Sequence, residues 1–152
     1  IDSMILEGHS DKHIYNLLQQ TLTAMRQQSE LGSLIRLFEI RLLSLSGYKP
    51  QVDHCVVCKT ISENGIFKFS YIQNGIICRN CCNRVPTDIQ FTTGTRNYIK
   101  KLMEVEIKSC GRIKIPKSQE GEVEKVTHRL VLSHLAREPK SYHFIKTMPQ
   151  FI

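Results

Sequence analysis

The chain has 152 residues, 41% of them hydrophobic, which fits one domain, or one domain carrying a small insertion, with a real apolar core. Its formal net charge of +7 invites a polyanionic partner, although a basic soluble surface would read the same way. No apolar run is long enough to cross a bilayer and no signal-peptide pattern is present, so the chain is expected not to span a membrane. The chain opens on Ile1 rather than Met, directly in helix-like sequence, which predicts an upstream part.

Charge is unevenly spread. Residues 1–54 sum to −1, residues 55–116 to +6 and residues 117–152 to +2. In the first segment Ser10 or Asp11 can cap a helix whose apolar stripe is Ile14, Leu17, Leu18, Leu22 and Met25. A second helix follows, with Leu31, Leu34, Ile35, Leu37, Phe38, Ile40, Leu42, Leu43 and Leu45 leaving little polar face. Such a helix belongs at the centre of the body. Arg36 and Glu39 are spaced to pair on its remaining, exposed face. Gly47 and Pro50 stop it.

Next comes Cys55-Val56-Val57-Cys58, then nineteen residues, then Cys78-Arg79-Asn80-Cys81. Paired Cys-x-x-Cys turns at this separation predict a Zn²⁺ site, because each turn can aim two sulfurs at one tetrahedral ion. Between them Phe67, Phe69 and Tyr71 alternate along a half-buried strand. Asn74-Gly75 predicts a type I′ hairpin turn, and Ile76-Ile77 return the chain to Cys78. Asn64-Gly65 marks another turn. Disulfides would need an oxidising compartment, and a redox Cys-x-x-Cys would stand alone at a helix start. A zinc deaminase would need a ligand-plus-Glu segment, whereas Lys59-Thr60 follows Cys58. Four sulfurs close the shell, so the metal is expected to be structural rather than catalytic.

Pro86 to Thr93 reads as an irregular connection. Thr95 can cap a third helix through Val105, with Tyr98, Leu102 and Val105 inward and Arg96, Lys100 and Lys101 outward. Ser109-Cys110-Gly111 interrupts it, and residues 112–116 read as an extended linker. A last helix runs from near Ser118 to Arg137, with Val123, Val126, Leu130, Val131 and Leu135 inward, and Pro139 ends it. The predicted fold class is mostly α, a helical bundle with an inserted four-cysteine zinc-finger β-hairpin. Residues 1–54 and 86–152 form the helical parts of one domain, and 55–85 form the finger.

Lys59, Lys68, Arg79 and Arg84 surround the finger in sequence and form a candidate phosphate-contacting patch, the alternative being solvated charges that keep a small finger soluble. His54 is expected outside the ligand set, and Cys82 and Cys110 are expected to be spare thiols. Phe67, Phe69 and Tyr71 could stack bases, but core packing is the stronger expectation.

The passage from Leu42 through Gly47, Tyr48, Pro50, Val52 and Asp53 to Cys55 and Cys58, with Asn74-Gly75-Ile76-Ile77-Cys78-Arg79-Asn80-Cys81, resembles the bacterial RecO family of DNA repair proteins. The resemblance extends over the whole chain and is carried most specifically by Leu31 to Cys81. It implies a recombination mediator without enzymatic activity, in the cytoplasm and at the nucleoid. Such a protein binds single- and double-stranded DNA, anneals complementary strands, contacts the C-terminal tail of single-strand DNA-binding protein and works with RecR to load RecA. The family begins with an OB-fold barrel, which this sequence does not contain. The alternative expectation is a zinc-ribbon protein-interaction module of another bacterial complex.

Overall fold

The computed structural model describes residues 12–27, 31–61, 65–107 and 115–135. The element order is α1 (Lys12–Met25), α2 (Leu31–Leu45), β1 (Ile66–Ser70), β2 (Gly75–Ile77), β3 (Ile89–Thr92), α3 (Thr93–Glu104) and α4 (Lys117–Ser133). Helix α2 is the hub and packs against α1, α3 and α4. Its Leu34, Leu37, Ile40 and Leu43 are fully buried, as its nearly continuous apolar surface predicts. Ile99 and Leu102 of α3 and Val123, Val126 and Leu130 of α4 complete that core.

The predicted helices are present, with shifted faces and ends. On α1, Ile14 and Leu17 are buried, but Thr21 and Ala24 continue the stripe, while Leu22 and Met25 face outward. Thr21 tolerates burial because its hydroxyl donates to the Leu17 carbonyl at 2.7 Å. Helix α2 ends in a Schellman turn. Gly47 has φ +83°, and the Tyr48 and Gly47 N–H groups donate to the Leu43 and Ser44 carbonyls. Arg36 and Glu39 pair at 2.9 Å, yet they are not on an exposed face. Both side chains are about nine-tenths buried against α4, where His128 Nδ1 lies 3.5 Å from Glu39 and Arg36 donates to Thr127. Helix α3 starts earlier than predicted, because Thr92 rather than Thr95 is the cap and accepts from the Thr95 N–H.

The sheet has three antiparallel strands in the order β2-β1-β3, one more than a hairpin. The connection predicted as irregular contains β3, which pairs Phe91 with Phe67 and Ile89 with Phe69. Phe67, Phe69 and Phe91 form one buried face against the helices, so the strand aromatics are core residues. Nor is the β1–β2 turn the predicted type I′. Four residues, Tyr71 to Asn74, connect the strands, and Asn74 alone takes a left-handed φ of +50°. Gly75 pairs with Ser70 in β2 and is needed for space, since a Cβ there would collide with Val56 Cγ1 and lie 3.0 Å from the Gln51 carbonyl oxygen.

The proposed Ser10 or Asp11 cap, Asn64, residues 108–114 with Cys110, and everything from residue 136 onward lie outside the described residues.

Candidate metal centre

The segment from Gln51 to Val56 lies beside β2 and positions the first cysteine pair. The Ile76 N–H donates to the Gln51 carbonyl at 2.9 Å, and the Val56 N–H donates to the Ile76 carbonyl at 3.0 Å. Helix α3 grips the same segment from the other side. Buried Arg96 donates to the Val52 carbonyl at 2.6 Å and the Asp53 carbonyl at 3.0 Å, with its guanidinium 4.9 Å from the Phe67 ring centroid. Lys100 pairs with Asp53 at 2.5 Å and is the main reason that carboxyl is held below its usual range. Arg96 was expected to point outward; it faces inward because two carbonyls and a ring are satisfied by one planar cation.

Each cysteine pair is a tight turn. The Lys59 N–H donates to the Cys55 carbonyl and the Cys55 N–H to the Thr60 carbonyl, both at 2.9 Å, while Lys59 adopts φ +63°. In the second turn the Cys81 and Cys82 N–H groups both donate to the Cys78 carbonyl at 3.0 Å. The Cys78 N–H also donates to Cys55 Sγ at 3.3 Å, so backbone joins the two turns.

The sulfurs of Cys55, Cys58, Cys78 and Cys81 consequently lie within 4.8 Å of one another. A tetrahedron with metal–sulfur bonds of about 2.3 Å has edges of ~3.8 Å, so this donor set fits one ion. Cys58 and Cys78 are already 3.5 Å apart. The thiols are unequal without an ion. The Thr60 hydroxyl, first, and its backbone bring Cys58 down to about 6, whereas Cys81, hydrogen-bonded chiefly to Cys78, is pushed up to about 12. Burial raises Cys55, but backbone hydrogen bonds from Cys58, Cys78 and Val57 more than offset it, and its thiol sits below the ordinary value. A cation would stabilise all four thiolates together.

His54 is half-buried and outside this group. Cys82 packs against the cluster but is likewise not in the ligand group; its thiol lies 3.1 Å from the Arg79 carbonyl. Of the candidate basic residues, Lys68 and Arg79 line one groove of about 680 Å³ beside the cysteines, while Lys59 and Arg84 are exposed and do not line it. Gln90 and Asn83 also line that groove and were not singled out from sequence; once Ile89 and Phe91 are seen to alternate, Gln90 must fall on the opposite face.

No described helix is long and apolar enough to cross a membrane. Residues 1–143 match the family described as "Recombination protein O C terminal". The chain is 30% identical over 142 residues to the DNA repair protein RecO of Desulforudis audaxviator, a match covering 93% of this chain and 56% of that protein. It is 28% identical over 138 residues to the DNA repair protein RecO of Alkaliphilus metalliredigens, covering 90% and 56%. With that of Bacillus pumilus the identity is 23% over 148 residues, covering 97% and 57%. The chain thus spans a little over half the length of these curated relatives. No solved structure matches it. The chain belongs to the RecO family of DNA repair proteins and corresponds to its C-terminal part.

Proposed function

We propose that the chain is the C-terminal part of a non-enzymatic recombination mediator, with a structural Zn²⁺ held by Cys55, Cys58, Cys78 and Cys81. The observation that carries this reading is the family match across residues 1–143. A four-thiolate shell leaves no open position for a substrate or a reactive water, which supports a structural role for the ion. The protein binds single- and double-stranded DNA through phosphate contacts from Lys59, Lys68, Arg79 and Arg84. It acts in the bacterial cytoplasm at the nucleoid, annealing strands and loading RecA with RecR. The C-terminal tail of single-strand DNA-binding protein is a further partner. A cleft of about 510 Å³ lined by Leu17, Leu45, Ile107 and Arg41 offers the apolar and cationic groups an acidic, apolar-ended peptide needs, with Glu106 as the opposing charge. Residues 55–85 act as a finger inserted in one helical domain.

The alternative, a zinc-ribbon module that binds protein, is favoured by the exposed apolar side chains Val57 and Ile61, 43% and 67% exposed, and Ile72 at 81%. Fluorescence anisotropy with labelled single-stranded and duplex DNA, titrated with salt, separates the readings. The mediator reading gives binding with a steep negative log–log salt slope that flattens when the four cations are neutralised. Binding to RecR or to the tail peptide with no DNA affinity gives the alternative.

A further inference from the structure

Helix α1 carries two apolar stripes, and the described body covers one of them. Ile14, Leu17, Thr21 and Ala24 are buried, and α1 packs on α2. Each is followed in sequence by an apolar residue, which makes a second stripe of Tyr15, Leu18, Leu22 and Met25, one step of about 100° round the helix. Leu18 is half-buried, while Tyr15, Leu22 and Met25 are 66%, 54% and 37% exposed. Intervals of three, four and three residues are those of a seam that packs against another helix. Ile14, Leu17 and Thr21 are likewise preceded by the polar residues His13, Asn16 and Gln20, which line the cleft of about 510 Å³. Seam and cleft therefore lie on opposite flanks of α1. Exposed Lys12, Gln19 and Arg26 edge the seam on its solvent side, and Lys12 to Gln27 contains no Asp or Glu.

We infer that this seam is the docking face for residues 1–7 of the same chain, folded back antiparallel to α1, an assignment independent of the DNA and metal readings above. Three features of the sequence select that occupant. Ile1, Met4 and Ile5 stand at the spacing of one helical face, and seven residues of helix rise about 10 Å, the same length of α1 that separates Tyr15 from Leu22. Gly8 to Asp11 leaves four residues for the reversal, within the ordinary range for a helix hairpin. Charge is complementary as well, since the antiparallel course brings Glu7 toward Lys12 and Asp2 toward the Arg26 end. The same cations disfavour the other candidates. Residues 136–152 hold Arg137, Lys140 and Lys146 against Glu138 alone. A second copy paired antiparallel along its own seam would set Lys12 of one chain against Arg26 of the other. Covalent connection adds the rest: a seam of four side chains is short for two separate proteins, but a tethered segment meets it at high effective concentration. The cleft on the opposite flank stays open when the seam is filled, so a peptide bound there does not compete with residues 1–7.

Hydroxyl-radical footprinting read by mass spectrometry tests the assignment on the full chain and on a chain that begins at Gly8, with circular dichroism as the control on folding. Removing residues 1–7 is expected to raise labelling of Tyr15 and Leu22 several-fold, while Tyr48, 40% exposed on the turn after α2, keeps its rate. The full-length double variant Met4→Asp, Ile5→Asp should do the same without shortening the chain, which keeps the test open if the truncated chain folds poorly. Asp2→Lys, Glu7→Lys should raise labelling less, and its difference from wild type should shrink as salt is added. Unchanged labelling of Tyr15 and Leu22 in both the truncated chain and the double variant overturns the inference. So does an equal rise at His13 and Gln20 on the cleft flank, which would mean that α1 as a whole has loosened. Protection that strengthens with protein concentration and survives the truncation would give the seam to a second copy, and the inference would again be overturned.

Discussion

In the helical body, α2 buries four aliphatic side chains completely and three further elements close over them. In the cysteine finger the buried set is Cys55, Ile77 and Cys81, two of which belong to the candidate ligand group. Removing apolar area from water, at about 25 cal/mol per Å², can hold the first region together. It cannot hold the second, whose buried set contains a single aliphatic residue. The sheet makes the contrast sharper, since its inner face of Phe67, Phe69 and Phe91 belongs to the body and its outer face to the finger. One region is organised by burial, the other by the convergence of four sulfurs.

The largest expected effect tests that division directly. Cys81→Ser, or chelation, should abolish metal binding and melt the two cysteine turns, because a four-thiolate site contributes on the order of 10–16 kcal/mol to folding of the unit around it. Hydrogen exchange should then show residues 55–61 and 78–85 unprotected while α2 amides stay protected; simultaneous loss in α2 would mean that the two regions fold as one. Loading also has a proton signature. With the turns melted the thiols are ordinary ones, mostly protonated at neutral pH, so metal uptake should release close to four protons per ion, measured by calorimetry in buffers of different ionisation enthalpy; a clearly smaller number would mean that the apo turns keep the folded arrangement, in which Cys58 is brought down to about 6. Affinity should fall as pH falls, since protons compete for the same sulfurs.

The reciprocal variant is Leu37→Ala at a fully buried position of α2. A cavity there should cost about 2–5 kcal/mol in urea unfolding, with metal content unchanged. Loss of metal at low urea, before the helices unfold, would show that the finger depends on the body for its shape.

These two regions were unequally legible. Cysteine spacing revealed the four-cysteine cluster because this geometry is local: a Cys-x-x-Cys turn aims two sulfurs whatever surrounds it. Helix periodicity revealed α2 and α4 because their apolar stripes are wide. On α1, by contrast, Leu22 was a better apolar candidate than Thr21, and only the position of α2 decides which of them is covered. Strand β3 was hidden by its length of four residues and by polar Gln90 and Thr92, although Ile89 and Phe91 carry the alternation. The burial of Arg96 had no local signal. The carbonyls it donates to, those of Val52 and Asp53, are more than forty residues away in sequence.

Arg96 is also where the comparison can be broken, because it belongs to both regions. Arg96→Met keeps an unbranched side chain but removes the guanidinium that lies over Phe67 and donates to the Val52 and Asp53 carbonyls. About 1.5–3 kcal/mol should be lost from global stability, the range for hydrogen bonds to a charged group. Metal release to a chelator should also quicken, since the segment that carries Cys55 is no longer held to α3. A stability loss with an unchanged release rate would confine Arg96 to the body.

The smallest effect lies wholly within the body and serves as its electrostatic control. Glu122 of α4 sits at the start of α3, accepting from the Thr92 N–H at 3.1 Å, the Thr92 hydroxyl at 2.8 Å and the Thr95 hydroxyl. Burial raises its pKa, but the hydroxyls of Thr95 and Thr92 and the Thr92 N–H outweigh burial and leave it below the ordinary value. A depressed carboxyl stabilises the fold above its unfolded pKa, and that contribution is lost as pH falls through the folded pKa. Glu122→Gln should therefore cost about 0.3–1 kcal/mol at neutral pH, the usual value of an anion at a helix N-terminus. The gap between variant and wild type should close below about pH 4, as the wild-type carboxyl takes up a proton. Both proteins lose metal in acid, so the comparison is of their difference and the finger cancels. A gap that persisted unchanged into acid would mean that hydrogen-bond geometry rather than charge fixes the start of α3, and the body would then owe its shape to packing alone.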